Sequence, residues 1–353
     1  MKKNKTLQAK TTRLLSLDLM VGLAMIFVVL GHMSFPFSPS WYNDGLHEWI
    51  YRFHMEVFVF LSAFLIRYSY KGVSTVTDYL KYEGRKFKKF FIPFLLVGLA
   101  VALSKAWSYG IVKSDIWSYM WESLKCLLLY PMRSEASFLW YIYILFGFYL
   151  ISPFVVKLPS WVKMVLCILS MGLPLLGANH FLGGYLFCKY TFFYFLGILC
   201  AEGWEQLRDI KTWIIGLLSV PFLLWSFRYM SSCLNPDIEG TFLEIGPQGF
   251  DILSGCLALP FLYFVARLIK KVNWISSILT QISKDCFWIY LLQMFVLGAC
   301  AFGFDYLGNK SFPFWIFMAI STILAISIPI GCSWLSRKTL LIGTKKNNKK
   351  KTK

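Results

Sequence analysis

Long apolar stretches recur from one end of this chain to the other, and they limit its fold more than any motif does. Each is about 20 residues long, enough for an α-helix to cross a hydrocarbon core ~30 Å thick. The predicted fold class is therefore an all-α polytopic membrane protein with about ten transmembrane helices. The predicted spans are residues 14–34, 51–70, 88–107, 138–156, 161–178, 183–201, 211–229, 250–268, 286–304 and 313–335. Residues 115–130 are predicted to form an amphipathic helix at the membrane interface.

The lysines and arginines indicate how these spans are oriented. With the N-terminus inside, 28 of the 36 basic residues fall in cytoplasmic segments, so both the N- and C-termini are predicted to be cytoplasmic. The predicted domains are a transmembrane domain at 14–336 and basic cytoplasmic tails at 1–13 and 337–353. The net charge of +18 then reflects topology and attraction to membrane lipids. No nucleic-acid partner is predicted, because no folded binding segment accompanies the basic tails.

Two segments near the N-terminus place ionisable side chains in apolar surroundings, where such groups are costly and suggest function. The first, Leu17 to His32, reads LDLMVGLAMIFVVLGH, and the second, Phe53 to Leu65, reads FHMEVFVFLSAFL. Together they resemble the opening helices of acyltransferase family 3, bacterial integral-membrane enzymes that O-acylate sugars. Later segments resemble further family elements in order: Phe138–Tyr149, Phe192–Glu202 and Cys286–Gln293.

His32 is the predicted catalytic residue. Asp18 and His32 share a helix face but lie about 21 Å apart along the axis at 1.5 Å per residue, so they require separate roles. Asp18 is assigned to the cytoplasmic, donor-binding end and His32 to the outer end. A neutral imidazole can take a proton from a sugar hydroxyl or accept the acyl group itself, and both roles stay open. The alternative is a histidine satisfied by the backbone or a lipid headgroup.

The second helix brings three more polar side chains to a depth similar to that of His32. Glu56 is predicted to orient His32 and stabilise its cationic form. Arg52 and His54 are predicted to bind the glycan. The alternative is that Arg52 and Glu56, four residues apart, pair with each other at the membrane edge.

A basic cluster leads into the third span and is predicted to bind the acyl donor. The resembled family carries R-x-x-R ahead of a proline here, thought to meet the phosphates of acyl-coenzyme A. Clustered lysines and arginines suit phosphate, although lysine lacks the bidentate fork of arginine. Cytoplasmic topology alone would also produce much of this pattern. The predicted donor-binding residues are Arg85, Lys86, Lys88 and Lys89.

The resemblance implies an acetyl-coenzyme A-dependent O-acyltransferase in the bacterial inner membrane, acting on a cell-surface or lipid-linked glycan. Acetyl-coenzyme A would be a co-substrate, and neither a metal site nor a permanently bound cofactor is predicted. Trp140 and Tyr141 would form a wall on which a sugar stacks, or else belong to the interfacial aromatic belt. The sequence does not specify the acyl group, the sugar or the oligomeric state.

The sequence also departs from the family pattern. Val21 stands where the family usually has arginine or lysine, and either Arg13 or the 81–89 cluster would have to supply that charge. Ala63 replaces a glycine, Glu56 a common proline and Gln293 a common histidine. These departures keep two alternatives open: a glycan or lipid transporter, and a catalytically inactive relative that binds glycan. A structural partner in a polysaccharide assembly complex is a third.

Overall fold

Helices make up all the regular structure of the described residues. The computed structural model describes residues 2–108, 115–177, 179–234, 247–307 and 313–351, of which 2–14, 232–234, 247–249 and 339–351 are described by their backbone alone. Two π-helical turns, Trp41–His47 and Phe87–Phe91, run directly into the α-helices that follow them. The helices are α1 (Lys2–Gly31), α2 (Glu48–Tyr51), α3 (His54–Tyr68), α4 (Val76–Lys86), α5 (Ile92–Ser108), α6 (Ile116–Leu129), α7 (Trp140–Val155), α8 (Ser160–Ser170), α9 (Gly184–Glu202), α10 (Trp204–Asp209), α11 (Thr212–Leu234), α12 (Pro247–Ile269), α13 (Asn273–Tyr306) and α14 (Phe314–Lys351).

The apolar helices follow the predicted spans in order. Two are shorter than the rest, Leu15–Gly31 and Ser160–Ser170. Each of these apolar helices overlaps one predicted span, so the prediction of an all-α polytopic membrane protein is confirmed. The number of crossings and the side on which each terminus lies stay predictions. Within the described residues, eight helical stretches are long and apolar enough to cross a membrane: Trp41–Tyr68, Val76–Ser108, Ser137–Val155, Phe181–Glu202, Thr212–Ser231, Phe250–Ile269, Asn273–Tyr306 and Phe314–Lys338.

Side-chain caps explain where two of the polar helices begin. The Thr75 hydroxyl accepts a hydrogen bond from the backbone N–H of Asp78 and starts α4. The Asp115 carboxylate accepts one from the N–H of Ser118, 3.2 Å away, and starts α6. Each cap satisfies a backbone donor that the first turn of a helix leaves unbonded. The helix predicted at 115–130 is thereby confirmed, while its position at the membrane interface stays a prediction.

Contacts divide the chain into two compact units, of which unit 1 comprises Met1–Met55 and Ile210–Lys353. In unit 1, α13 and α14 pair along their length, and α1 packs against α12, α13 and α14. A Cβ atom on Gly22 would lie 2.5 Å from the carbonyl oxygen of Leu279, so this close approach of α1 to α13 requires glycine. Asp285 joins α13 to α14 by accepting hydrogen bonds from Ser333 and Arg337, at 2.7 and 2.6 Å.

Unit 2 comprises Glu56–Asp209. Its α7 packs against α4 and α9, and α8 packs against α9. The rings of Phe148 and Tyr194 stack with centroids 4.4 Å apart. The Ser152 hydroxyl, hydrogen-bonded to Tyr194 at 2.9 Å, keeps that buried phenol satisfied. Where α9 passes α3, Gly197 lies directly against the carbonyl of Phe60, which leaves no room for a side chain.

Candidate functional site

His32 lies immediately after the last residue of α1, and a single hydrogen bond determines its tautomer. Its Nδ1 atom is 2.6 Å from the carbonyl oxygen of Val28. A carbonyl oxygen only accepts, so Nδ1 must carry the hydrogen and the lone pair of neutral imidazole lies on Nε2. The alternative interpretation was that a backbone hydrogen bond satisfies this histidine, and such a bond is present. It still leaves Nε2 as the ring atom that can take a proton.

Three of the four histidines of the chain surround one tyrosine in unit 1. The ring centroid of Tyr51 is 6.4 Å from that of His32, 4.2 Å from that of His47 and 4.8 Å from that of His54. His54 is buried and bonds through Nδ1 to the carbonyl of Ile50, 2.8 Å away. The sequence interpretation missed His47, because it lies between predicted spans and belongs to no periodic pattern.

Arg52 occupies the turn between α2 and α3 and is held by side chains from distant parts of unit 1. Its Nε donates to the Tyr229 hydroxyl at 2.9 Å. Its other nitrogens lie 3.5 Å from Asp251 and 3.8 Å from Glu48. The sequence had also allowed an ion pair between Arg52 and Glu56. The structure shows Arg52 in contact with Tyr229, Asp251 and Glu48.

Asp18 has a basic neighbour that the sequence interpretation did not identify. Ser283 and Lys284 of α13 are the side chains that interact with its carboxyl group. Lys284 therefore supplies a positive charge close to α1, the helix in which Val21 stands where the resembled family usually has arginine or lysine. Of the residues proposed for that role from the sequence, Arg13 lies outside the described side chains and the 81–89 cluster belongs to unit 2.

Glu56 is buried in unit 2 and lies close to a lysine. The Glu56 side chain is 1% exposed, and Lys189 Nζ lies 3.6 Å from its carboxylate. The same ammonium group lies 5.3 Å from the ring centre of Tyr190. Trp140 in turn stacks on Tyr190, with centroids 5.1 Å apart and planes 21° from parallel. Two predicted site residues, Glu56 and Trp140, therefore lie in one neighbourhood, connected by a lysine that the sequence interpretation missed.

Tyr141, the other residue of the predicted sugar wall, faces the protein interior. Its side chain is buried, and its hydroxyl is hydrogen-bonded to the Ser62 hydroxyl. Its ring also meets the edge of Phe58, with centroids 5.6 Å apart. In this conformation Trp140 presents the more accessible of the two rings.

A basic cavity of about 490 Å³ lies between the end of α3 and α4 in unit 2. Arg85 and Lys86 line it, as the sequence interpretation requires of a donor site. Lys88 and Lys89 are exposed and are not among its lining residues. Tyr70 also lines the cavity and contributes a phenol group. The complete lining is Ser69, Tyr70, Lys71, Gly72, Val73, Asp78, Lys81, Tyr82, Arg85 and Lys86.

Aromatic rings hold Lys86 at the wall of this cavity. Its Nζ lies 4.0 Å from the ring centre of Tyr149 and 5.2 Å from that of Tyr82. Such cation–π contacts fix a long side chain without neutralising its charge. Lys86 is therefore a positioned cation, and the sequence contained no signal for its ring contacts because Tyr149 belongs to a different helix.

Gln293, which stands where the resembled family often has histidine, is completely buried in α13. Neither its amide nitrogen nor its amide oxygen finds a hydrogen-bond partner among the described residues. A buried polar group without a partner costs about 1–3 kcal/mol. Gln293 is thus a buried polar residue of α13.

Replacing Gln293 with methionine, which has a similar volume, is expected to raise the free energy of unfolding by about 1–3 kcal/mol, because it removes two buried polar atoms. Chemical unfolding of the full chain in detergent micelles measures this. Gln281→Met is the matched control on the same helix: Gln281 donates to Asp285, so its loss should destabilise. Equal destabilisation by both variants would show that the Gln293 amide does have a partner.

A family model described as an acyltransferase domain, Acyl_transf_3, matches residues 14–334 of the chain. No curated protein and no solved structure matches the chain. The matched range runs from the start of the first apolar helix to the last, and it contains His32, the Glu56–Lys189 pair and the basic cavity.

Proposed function

The chain belongs to the acyltransferase 3 family, and from that premise we propose that it moves an acetyl group from acetyl-coenzyme A to a hydroxyl of a cell-surface or lipid-linked glycan. Family membership makes it a membrane acyltransferase. The acetyl donor, the glycan acceptor and a location in the bacterial inner membrane are the proposed part. Acetyl-coenzyme A acts as a co-substrate in this proposal.

The observation that carries the proposal is the fixed tautomer of His32. With Nδ1–H bonded to Val28, Nε2 can take the proton of a sugar hydroxyl. The sugar oxygen then attacks the thioester carbonyl, and the carbon–sulfur bond breaks. The departing thiolate of coenzyme A takes up the proton from the imidazolium. Atoms and charges balance without any further reactant.

The basic cavity is the proposed site for the donor. Coenzyme A carries several phosphate charges, and the cavity presents Arg85 and Lys86 together with Lys81 of the same basic cluster. It also presents Lys71, which the sequence interpretation counted only toward topology. Charge-assisted hydrogen bonds to phosphate are the strongest that such side chains make. Tyr70 adds a neutral donor. Asp18, beside Lys284, keeps its proposed place at the donor-binding end of α1.

Acceptor binding is proposed for two groups of side chains, each within its own unit: Arg52 and His54 in unit 1, and Trp140 at the start of α7 in unit 2. Arg52 supplies hydrogen-bond donors. His54 presents Nε2 as an acceptor, because its Nδ1–H already donates to the Ile50 carbonyl. Trp140 is proposed to supply an apolar ring face of the kind on which sugars stack. The Glu56–Lys189 pair lies next to the ring that supports Trp140. Orientation of His32 by Glu56 stays part of the proposal.

Removing two cavity charges with the double substitution Arg85→Ala and Lys86→Ala is expected to raise the KM for acetyl-coenzyme A about tenfold or more. Hydrogen bonds to charged groups contribute roughly 1.5–3 kcal/mol each, and these would be lost with kcat largely retained. Lys157→Ala, which removes an exposed lysine outside the cavity, is the control. An unchanged donor KM in the double variant would exclude the cavity as the donor site.

The direct test is transfer of radiolabelled acetyl from acetyl-coenzyme A to glycan in membranes that contain the chain. Label in glycan above that of membranes lacking the chain supports an O-acetyltransferase. If no label appears in glycan with acetyl-, propionyl- or succinyl-coenzyme A, the enzymatic proposal fails. The transporter and glycan-binding alternatives then take its place.

A further inference from the structure

His32 lies where α1 has already ended, so its position depends on contacts from outside that helix. The backbone N–H groups of His32 and Met33 bond to carbonyls three residues earlier, Val29 and Leu30, at 3.2 and 3.3 Å. These bonds are those of a tightened last turn, not of a continuing α-helix. The bond from Nδ1 to Val28 fixes one atom of the imidazole, whereas the torsion that turns the ring has only a broad preference. A base at such a place needs a second contact to keep its ring oriented.

The π-helical turn and α2, which follow α1 in the chain, hold its end through two tyrosines. The buried Tyr42 donates its hydroxyl hydrogen to the carbonyl oxygen of Leu30. The ring of Tyr51 lies against Gly31, the last residue of α1, where a Cβ atom would be 3.2 Å from the ring carbon Cε2. Tyr51 therefore packs directly against the backbone that leads into His32.

Tyr51 is itself held in place by two histidines. Its ring centroid is 4.2 Å from that of His47, with the planes 33° apart, and 4.8 Å from that of His54, with the planes 59° apart. The Nδ1 atom of His54 bonds to the carbonyl oxygen of Ile50, so this neighbour has a fixed orientation. A ring packed by two neighbours has fewer rotamers available than an isolated one. Tyr51 can therefore limit the movement of other groups that it contacts.

The third ring beside Tyr51 is the predicted base. The centroids of the Tyr51 and His32 rings are 6.4 Å apart, and their planes are tilted by 50°. That separation lies within the range of about 4.5–7 Å in which aromatic rings attract one another. Together with the packing on Gly31, this contact limits both the place where His32 begins and the way its imidazole turns. It thereby holds the direction of Nε2, the atom that has to meet the sugar hydroxyl.

We propose that Tyr51 is a positioning residue, whose ring holds the His32 imidazole in the orientation that directs Nε2 at the acceptor hydroxyl. This inference rests on the proposed acetyl transfer, in which Nε2 takes the proton of that hydroxyl. The ring acts by packing, and its own hydroxyl group takes no part in the step. Misplacing a reacting atom by about 1 Å can lower a rate about 100-fold. Loss of the ring should affect kcat far more than donor binding, because the cavity proposed for the donor is formed by other residues.

The first experiment compares two substitutions of Tyr51 in acetyl transfer to glycan. Tyr51→Leu removes the ring and is expected to lower kcat about 10–100-fold, while the KM for acetyl-coenzyme A stays within about threefold of that of the unaltered chain. Tyr51→Phe keeps the ring and is expected to recover most of the lost kcat. Tyr185→Leu is the matched control, because Tyr185 also lies beside a histidine, with its ring centroid 5.4 Å from that of His180, but outside the proposed site.

Three kinetic results would overturn the proposal. Equal losses of kcat in Tyr51→Phe and Tyr51→Leu would assign the effect to the hydroxyl group. A kcat of Tyr51→Leu equal to that of Tyr185→Leu would show that the ring is not needed. A kcat of Tyr51→Phe as low as that of a His32→Gln variant would also contradict packing as the cause, and this comparison requires no leucine variant.

The second experiment observes the imidazole directly and does not depend on turnover. The chain has four histidines, so ¹⁵N labelling of histidine in detergent micelles gives few NMR signals, and those of His32 are the ones missing from His32→Gln. The two ring nitrogens differ in ¹⁵N chemical shift according to which one carries the hydrogen. The Nδ1–H tautomer is expected in the unaltered chain and in Tyr51→Phe. In Tyr51→Leu the His32 shifts should be averaged between both tautomers.

The two experiments separate failure of this inference from failure of the proposed function. An unmixed Nδ1–H signal for His32 in Tyr51→Leu overturns the positioning role even where acetyl transfer to glycan is intact. If the unaltered chain transfers no acetyl group, the proposed function fails, and the NMR comparison still decides whether Tyr51 orients His32. Unchanged His180 signals show that a variant remains folded.

Discussion

Replacing His32 with glutamine is expected to lower kcat for acetyl transfer by about 10²–10⁴-fold, the range that a positioned general base contributes. Glutamine is close in size and its amide can still donate to the Val28 carbonyl, so the hydrogen bond that orients the side chain is retained. What it lacks is a basic nitrogen at the position of Nε2. The donor KM should therefore stay within a few-fold of that of the unaltered chain.

His180→Gln is the matched control for this variant. His180 is exposed in a short connection after α8 and belongs to no part of the proposed site. It tests whether losing a histidine as such affects the assay. Activity of His32→Gln within threefold of His180→Gln would exclude His32 as the base.

The same pair of variants addresses whether His32 is a base or a nucleophile. If His32 accepts the acyl group, the chain incubated with acetyl-coenzyme A and no glycan should carry acetyl on a peptide containing residue 32. Mass spectrometry of the quenched protein detects that adduct, which His32→Gln must lack. A base mechanism leaves the peptide unmodified while turnover with glycan proceeds.

The second large expected effect concerns stability. Glu202→Gln is expected to lower the free energy of unfolding by about 3–5 kcal/mol, the usual consequence of removing one partner of a buried ion pair. Lys163 is 2% exposed and donates to Glu202 Oε1, which also accepts from Arg67 at 3.0 Å. Ser160 donates to the second carboxylate oxygen at 3.0 Å. One carboxylate thus joins α3, α8 and α9.

Unfolding by denaturant in detergent micelles measures this loss. Glu205→Gln is the control, because Glu205 pairs with Arg208 at the surface, where a salt bridge contributes about 0–1 kcal/mol. The double variant Lys163→Met with Glu202→Gln should recover part of the stability, since it removes the buried ammonium together with its partner. A Glu202→Gln variant as stable as Glu205→Gln would contradict the importance of this pair.

The sequence predicted the helices well because length and apolarity determine them locally. A run of about 20 apolar residues can form all its backbone hydrogen bonds within a helix in hydrocarbon, whichever helices pack against it. The helix that ends just before His32 was foreseen on these grounds, whereas the helix at 115–130 was foreseen from its amphipathic pattern. The family assignment likewise depended on residues close together in the chain.

The partners of the site residues could not be predicted in this way. Periodicity indicates which face of a helix is polar, but not which other helix that face will meet. Lys284 beside Asp18, Lys189 beside Glu56 and Asp251 beside Arg52 each come from a remote helix. The spacing of the basic cluster also could not separate Arg85 and Lys86, on the cavity wall, from Lys88 and Lys89.

By itself, then, the sequence determined that this is a helical membrane protein of the acyltransferase 3 family with a histidine at the end of its first apolar helix. Only the tertiary structure decided that aromatic rings hold Lys86 in place and that Asp251 lies beside Arg52. The reason is physical. Helix formation depends on the local run of side chains, whereas ion pairs, rotamers and cavities depend on which helices pack together.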